Sequence, residues 1–289
     1  MKLVTFIHNG QSRIGALSGN GAIVDLNRAN PQLPTDMLAF LAGGADTKAL
    51  AEKAVASALP SAVVARSAVT LQAPLPRPGK ILCIGLNYRD HAAESNQPIP
   101  DHPTVFAKYN NTVVGPGAAI VLPSVTEKVD YEAEFAFVIG RTARNVAAAD
   151  ALDYVAGYLP FNDVSARDYQ MRTSQWTVGK TFDTFGPMGP ALVTSDEIPN
   201  PHDLDISLTI NGEVLQSSNT SNLIFSVNEL IADLTSFMTL EPGDLISTGT
   251  PSGVGSARKP QRWLRAGDVV ALTIEGLGTL ENPVIAQGA

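Results

Sequence analysis

The sequence predicts an α+β fold that is mainly β. Short alternating or continuous apolar runs recur along the chain and are bounded by turn residues. One strongly specified helix and two weaker helical stretches stand among them. Punctuation by 24 glycines and 20 prolines suits a loop-rich β architecture rather than a helical bundle.

In chain order, residues 1–27 read as short strands. Leu3, Thr5 and Ile7 alternate with Val4, Phe6 and His8, and Gly19-Asn20-Gly21 marks a hairpin turn. Helical signals follow, with Asp36 ahead of Met37-Leu38-Ala39-Phe40-Leu41 and Asp46 ahead of an Ala-rich stretch to Leu59. A strand from Ala68 to Leu71 leads into Ala73-Pro74-Leu75-Pro76-Arg77-Pro78-Gly79. The three prolines of that run mark the expected boundary between a small N-terminal α+β domain, residues 1–73, and a larger C-terminal domain, 74–289. Candidate strands of the larger part are Ile81–Leu86, Glu132–Ile139, Leu204–Ile210, Asp244–Ser247 and Val269–Ile274, with Asn211-Gly212 as a hairpin signal. Its one well-specified helix opens on a capping box, Ser226 with Glu229. Leu230, Ile231, Leu234, Phe237 and Met238 form its apolar face, and Pro242-Gly243 is the expected stop.

Composition narrows the function classes. The net charge is −8, with no cluster of Lys or Arg beyond short pairs, so a nucleic-acid partner is not expected. No apolar run approaches the ~20 residues a membrane span needs, and Met1–Gly15 alternates like a strand rather than a signal peptide. Cys83 is the only cysteine, which excludes an intrachain disulfide and fits a reducing compartment; the expected location is cytoplasmic.

The chemistry-bearing segments begin with Tyr131 to Ile139. On a strand, Glu132 and Glu134 share one face with Ala136 and Val138, while Tyr131, Ala133, Phe135, Phe137 and Ile139 share the other. Two carboxylates at one end of a strand buried on both sides are costly unless a cation neutralises them, and a hard divalent ion takes oxygen ligands. The same residues also read as a solvated strand end. Asp163 ends an apolar stretch and reads equally as a third ligand, a turn residue or a helix N-cap. Zinc is disfavoured, since four histidines occur with no CxxC pair and no HExxH. His91 and Glu94, spaced i,i+3, would be neighbours on a helix. They read either as a proton-transfer pair or as a surface contact. Lys180 lies among apolar and aromatic residues, as a buried cation aimed at an anion or as a lysine snorkelling to solvent. Ser247 to Gly255 is a small-residue loop that could bring backbone N–H groups to a carboxylate; it is not a nucleotide fingerprint.

Taken together, GLNYRDHAAE, DYEAEFAFVIG, GYLPFNDVSARDYQ, QWTVGKTFDTFGPMGP, NTSNLIFSVNELI, LEPGDLISTGTPSGVG and GLGTLENPV resemble the fumarylacetoacetate hydrolase superfamily from about Lys80 to Pro283. The resemblance implies a catalytic domain of mixed β-sheets rolled on one another, usually in a homodimer, using Mg²⁺ or Mn²⁺. It implies Glu132, Glu134 and Asp163 as metal ligands, His91 with Glu94 as a water-activating dyad, and Lys180 as the group that meets developing negative charge. Arg167, Gln170 and Thr250 would sit in or beside the substrate pocket, and Ser95 to Pro103 would form a lid. The family's namesake carries a further metal-binding Asp where this chain has Ile84, and many relatives carry Pro where it has Tyr109 after Lys108. The expected substrate is a small 2-keto acid. The expected activity is C–C hydrolysis of a 2,4-diketo acid of the acylpyruvate type through a metal-chelated enolate. Decarboxylation of oxaloacetate and keto–enol tautomerisation or isomerisation are alternatives on the same site. A Schiff-base lyase using Lys180 and a non-catalytic keto-acid binding module are the readings from other classes.

Overall fold

The computed structural model describes residues 1–19 and 21–288. Asn20, the centre of the expected Gly19-Asn20-Gly21 turn, lies outside the described residues; the strands on either side of it pair antiparallel, with Leu17 opposite Ile23. A second Asn-Gly pair closes the first hairpin. Asn9 and Gly10 both take positive φ (50° and 75°) and join strands Lys2–His8 and Gln11–Leu17 with His8 opposite Gln11. Asn211-Gly212 does the same between Asp205–Ile210 and Glu213–Asn219. Each is a two-residue connection of the kind that matches strand twist.

Eleven strands form the main sheet. The order across it is Val63–Val64, Ile23–Asp25, Gln11–Leu17, Lys2–His8, Leu192–Thr194, Val155–Asn162, Ala133–Ile139, Leu245–Ser247, Ile81–Gly85 and Thr104–Lys108, with Thr70–Leu71 also paired to Lys2–His8. The N-terminal strands thus continue the sheet of the larger domain, through Lys2 opposite Val193 and Leu3 opposite Leu192. A second, five-stranded sheet (Glu213–Asn219, Asp205–Ile210, Val269–Ile274, Gly278–Ala286, Ile120–Leu122) packs beside it. The architecture is α+β and mainly β, as the residue pattern predicts.

Strand Ala133–Ile139 lies at the centre, and all seven of its residues are buried. Its faces separate two cores. Phe135, Phe137 and Ile139 enter one with Ile206, Leu208 and Leu272 of the second sheet. Ala136 and Val138 enter the other with Leu3, Phe40, Leu41 and Leu159. The N-terminal helices Met37–Ala42 and Gly44–Ala56 therefore share a core with strands of the larger domain across the proline run. Asp36 caps the first of these helices by accepting from the Ala39 N–H at 2.9 Å.

Helix Val227–Phe237 carries both halves of the expected capping box, and Leu230, Ile231 and Leu234 are fully buried. Its C-terminal end differs from expectation. The helix stops at Phe237, whose side chain is 55% exposed, and Met238 is already extended. Pro242-Gly243 instead turns the chain into strand Leu245–Ser247; Gly243 takes φ 90° and its N–H donates to the Ile139 carbonyl.

Candidate active site

Strand pairing assembles the acidic cluster. Ala133 faces Asn162, so the residues just outside that pair, Glu132 and Asp163, come side by side. The Asp163 N–H donates to the Glu132 carbonyl at 3.0 Å, and the Asn162 side chain accepts from the Glu132 N–H at 3.1 Å. One carboxylate oxygen from each of Glu132, Glu134 and Asp163 lies within 4.8 Å of the others, all three residues being buried. The solvated strand end and the helix-cap reading of Asp163 are therefore both set aside. Asp163 is fully buried, and helix Arg167–Gln170 has Ala166 at its N-cap with no side-chain cap.

Three cations meet these acids. Lys180, 2% exposed at the end of the short helix Thr177–Lys180, donates to Glu132 at 2.6 Å and Asp163 at 2.8 Å. Lys108 donates to the other oxygen of Asp163 at 2.6 Å and to the Val164 carbonyl at 3.1 Å. Arg167 spans Asp130, through Nε at 2.8 Å, and Glu132, at 2.7 Å. Lys180 is thus the buried cation aimed at an anion, with the face of Phe106 4.9 Å from its Nζ, rather than a snorkelling lysine.

Electrostatics divides the acids. Burial disfavours the charge on Glu132, yet Arg167 and Lys180 hold its carboxyl down at about 2. Burial, then repulsion from Asp163 and Glu132, pushes the Glu134 carboxyl well above the usual range. Glu134 has no ion-pair partner among the described residues; it accepts from the Ser247 hydroxyl and, at 3.1 Å, from the Gly249 N–H. Burial opposes the charge on Lys180 too, but Asp163 and Glu132 outweigh it and raise its pKa above the ordinary lysine value. A converging oxygen set whose central carboxylate lacks a counter-charge fits a hard divalent ion, because added positive charge is what Glu134 needs to ionise.

His91 and Glu94 lie on helix Arg89–Glu94, in the turn of chain after strand Ile81–Gly85. His91 Nδ1 is 3.2 Å from Glu94 Oε2, and Glu94 Oε1 accepts from the Gly253 N–H at 2.8 Å. The pair is not a surface contact: both side chains line a cavity of about 610 Å³ together with Glu132, Glu134 and Lys180. Arg167, Gln170 and Thr250 line the same cavity. Gln170 accepts from Arg167 at 3.0 Å, and the Thr250 hydroxyl accepts from Gln216 at 2.8 Å. The wall is completed by Leu86, Phe106, Trp176 and Val254, with Phe106 and Trp176 edge to face at 5.6 Å. From the segment Ser95 to Pro103, Ser95 and Gln97 reach the cavity. Leu86, between the strand and the dyad helix, holds φ 52°, a left-handed conformation that bulky residues rarely adopt.

The loop after strand Leu245–Ser247 does bring N–H groups to carboxylates, and those carboxylates are the protein's own. Gly249 serves Glu134, Gly253 serves Glu94, and Gly255 and Ser256 serve Asp130. Sequence reasoning missed Lys108 and Asp130. Lys108 ends an otherwise half-buried strand and Asp130 directly precedes the Tyr131–Ile139 run, but neither position shows its partner in the sequence.

This geometry stands beside a family match. The C-terminal family of fumarylacetoacetate (FAA) hydrolase matches residues 80–285. The chain belongs to the fumarylacetoacetate hydrolase family. The mitochondrial oxaloacetate tautomerase Fahd2a of Rattus norvegicus is 47% identical, over 99% of this chain and 92% of its own length. The crystal structure of 2-hydroxyhepta-2,4-diene-1,7-dioate isomerase from Mycobacterium marinum superposes with a TM-score of 0.80 at 34% identity, covering both chains completely. Maleylpyruvate hydrolase from Sphingobium sp. SYK-6, solved in complex with manganese(II) and pyruvate, superposes with a TM-score of 0.82 at 31% identity, covering 99% of each chain. The relatives of this chain are enzymes of one family that differ in reaction: a tautomerase, an isomerase and a hydrolase. No helix among the described residues is long and apolar enough to cross a membrane.

Proposed function

We propose that this family member interconverts the keto and enol forms of oxaloacetate, a four-carbon 2-keto diacid, with Mg²⁺ or Mn²⁺ held by Glu132, Glu134 and Asp163. The observation that carries the reading is the His91–Glu94 pair, held by Gly253 on the wall of the cavity that Glu132 and Glu134 also line. Similarity over almost the whole chain to a tautomerase of that substrate supports it.

The bound cation supplies a Lewis acid that makes the carbon beside the ketone acidic. Glu94 occupies the Nδ1 side of His91, which fixes the ring's tautomer and leaves Nε2 as the base. His91 removes a proton from C3; the C–H electrons enter the C2–C3 bond, and the 2-oxygen takes a proton to give the enol. The reverse sequence returns the proton to C3. Lys180 keeps positive charge beside the oxygen on which negative charge develops. Arg167, Gln170 and Thr250 offer donors for the substrate carboxylates. No activated water is needed.

A second reading, C–C hydrolysis of an acylpyruvate, is favoured by one feature. A cavity of about 610 Å³ with an apolar wall is larger than a four-carbon diacid fills, and would take a longer tail. In that reaction the same dyad would deprotonate water. A Schiff-base role for Lys180 requires a neutral amine, which two carboxylates at 2.6 and 2.8 Å oppose.

The test follows the ultraviolet absorbance of enol-oxaloacetate after addition of metal-loaded protein, with EDTA-treated protein as control. Metal-dependent acceleration of enol loss is expected. Equal rates with and without metal-loaded protein would rule the tautomerase out.

A further inference from the structure

Asp130 is fully buried and takes no direct part in the chemistry above, yet it accepts four hydrogen bonds. Oδ1 accepts from the N–H groups of Tyr131 at 2.9 Å and Gly255 at 2.7 Å. Oδ2 accepts from Arg167 Nε at 2.8 Å and the Ser256 N–H at 3.0 Å. Two of these donors, Arg167 and Ser256, belong to residues that line the cavity. Arg167 is shared in turn among three acceptors: Asp130 at Nε, Glu132 Oε1 at 2.7 Å, and Gln170 at 3.0 Å.

We infer that Asp130 is a positioning residue that holds the Arg167 guanidinium between two carboxylates, so that it stays on Glu132 Oε1 and off Oε2, the oxygen beside Lys180 that a cation would take. The planar guanidinium prefers a two-pronged grip on one carboxylate. Without an acceptor at Nε, its best available partner is Glu132, and a bidentate pair there would bring the guanidinium onto Oε2 as well, where Lys180 now donates. Asp130 prevents this by taking Nε for itself. A carboxylate is required rather than an amide, because four donors converge on two oxygens; an asparagine would point its NH₂ at two of them. The same carboxylate fixes Gly255, whose Cβ, were there one, would lie 1.9 Å from the Arg262 carbonyl. The inference takes from the function proposed above only that Glu132 binds a divalent ion.

The experiment is a thermodynamic cycle on the full chain, titrating Mn²⁺ by calorimetry into the unaltered protein, Asp130→Asn, Arg167→Met and the double variant, with circular dichroism to verify folding. Asp130→Asn is expected to weaken Mn²⁺ at least tenfold in the parent. In the Arg167→Met background it should change affinity less than threefold, because no guanidinium remains to fall onto Glu132. Equal losses in both backgrounds, or parent affinity retained within twofold, would overturn the inference. Should Asp130→Asn fail to fold alone, folding restored in the double variant supports the role, and a double variant that also fails to fold overturns it. The readout is metal affinity, so absence of oxaloacetate turnover would remove the proposed reaction without touching this result.

Discussion

Glu134 is the residue on which the cation argument turns. Its folded-state carboxyl lies above the unfolded value, so the folded chain binds that proton more tightly than the unfolded one. Its contribution therefore favours folding at low pH and is lost as pH rises from the ordinary glutamate value toward the folded one. Glu132 behaves oppositely: held at about 2, it stabilises above the ordinary glutamate value of 4.5, and that stability disappears as pH falls toward 2. A cation at Glu134 competes with the proton that burial and the neighbouring carboxylates favour there, so Mn²⁺ affinity should rise with pH. Glu134→Gln mimics the neutral acid and keeps an oxygen for Ser247 and Gly249. Calorimetry should find this variant at least as heat-stable as the metal-free parent at neutral pH, but without the Mn²⁺ stabilisation. In the parent that gain is about 2.7 kcal/mol at a hundredfold excess over Kd. A Glu134→Gln protein that keeps the full Mn²⁺ gain would exclude Glu134 as a ligand.

At the scale of elements, the loop from Gly249 to Ser256 ties the acidic side of the cavity to the dyad. Gly253 is a tight point of that loop. It holds φ 101°, and a Cβ there would lie 2.2 Å from the Leu215 carbonyl. Gly253→Ala should shift the N–H that holds Glu94 and release His91 from its orientation. Turnover should fall at least tenfold, while Mn²⁺ affinity, set by the neighbouring strands, stays within threefold; the two assays together separate a loop effect from general unfolding. Much at this scale was legible in the sequence, because it is local. The capping box at Ser226, the cap at Asp36 and the two-sided burial of Ala133–Ile139 follow from spacing alone. The end of the Ser226 helix was not. Phe237 continues the apolar spacing but is left in solvent where Met238 turns extended, and Leu240 pairs with Ala143 nearly a hundred residues away.

Across the whole molecule, one sheet carries both the N-terminal strands and the acidic strand, and the site forms where distant segments meet on it. Residues 91, 132, 163 and 180 were marked in advance by the motifs that contain them. Lys108 and Asp130 were not, since their meaning arises only when strand Thr104–Lys108 reaches the sheet edge and Arg167 folds back over residue 130. The continuity of the N-terminal strands with Leu192–Thr194 was hidden for the same reason: a pairing 190 residues apart leaves no local trace. The composite site stands or falls on one step, the transfer of a proton by His91 at the carbon beside the substrate ketone. Proton NMR of oxaloacetate in D₂O, with Mg²⁺-loaded protein, tests it directly. Rapid metal-dependent deuterium entry at C3 without pyruvate formation is expected, reduced by about 10²-fold or more in His91→Asn. Pyruvate released without faster exchange, or exchange unchanged in His91→Asn, would contradict it.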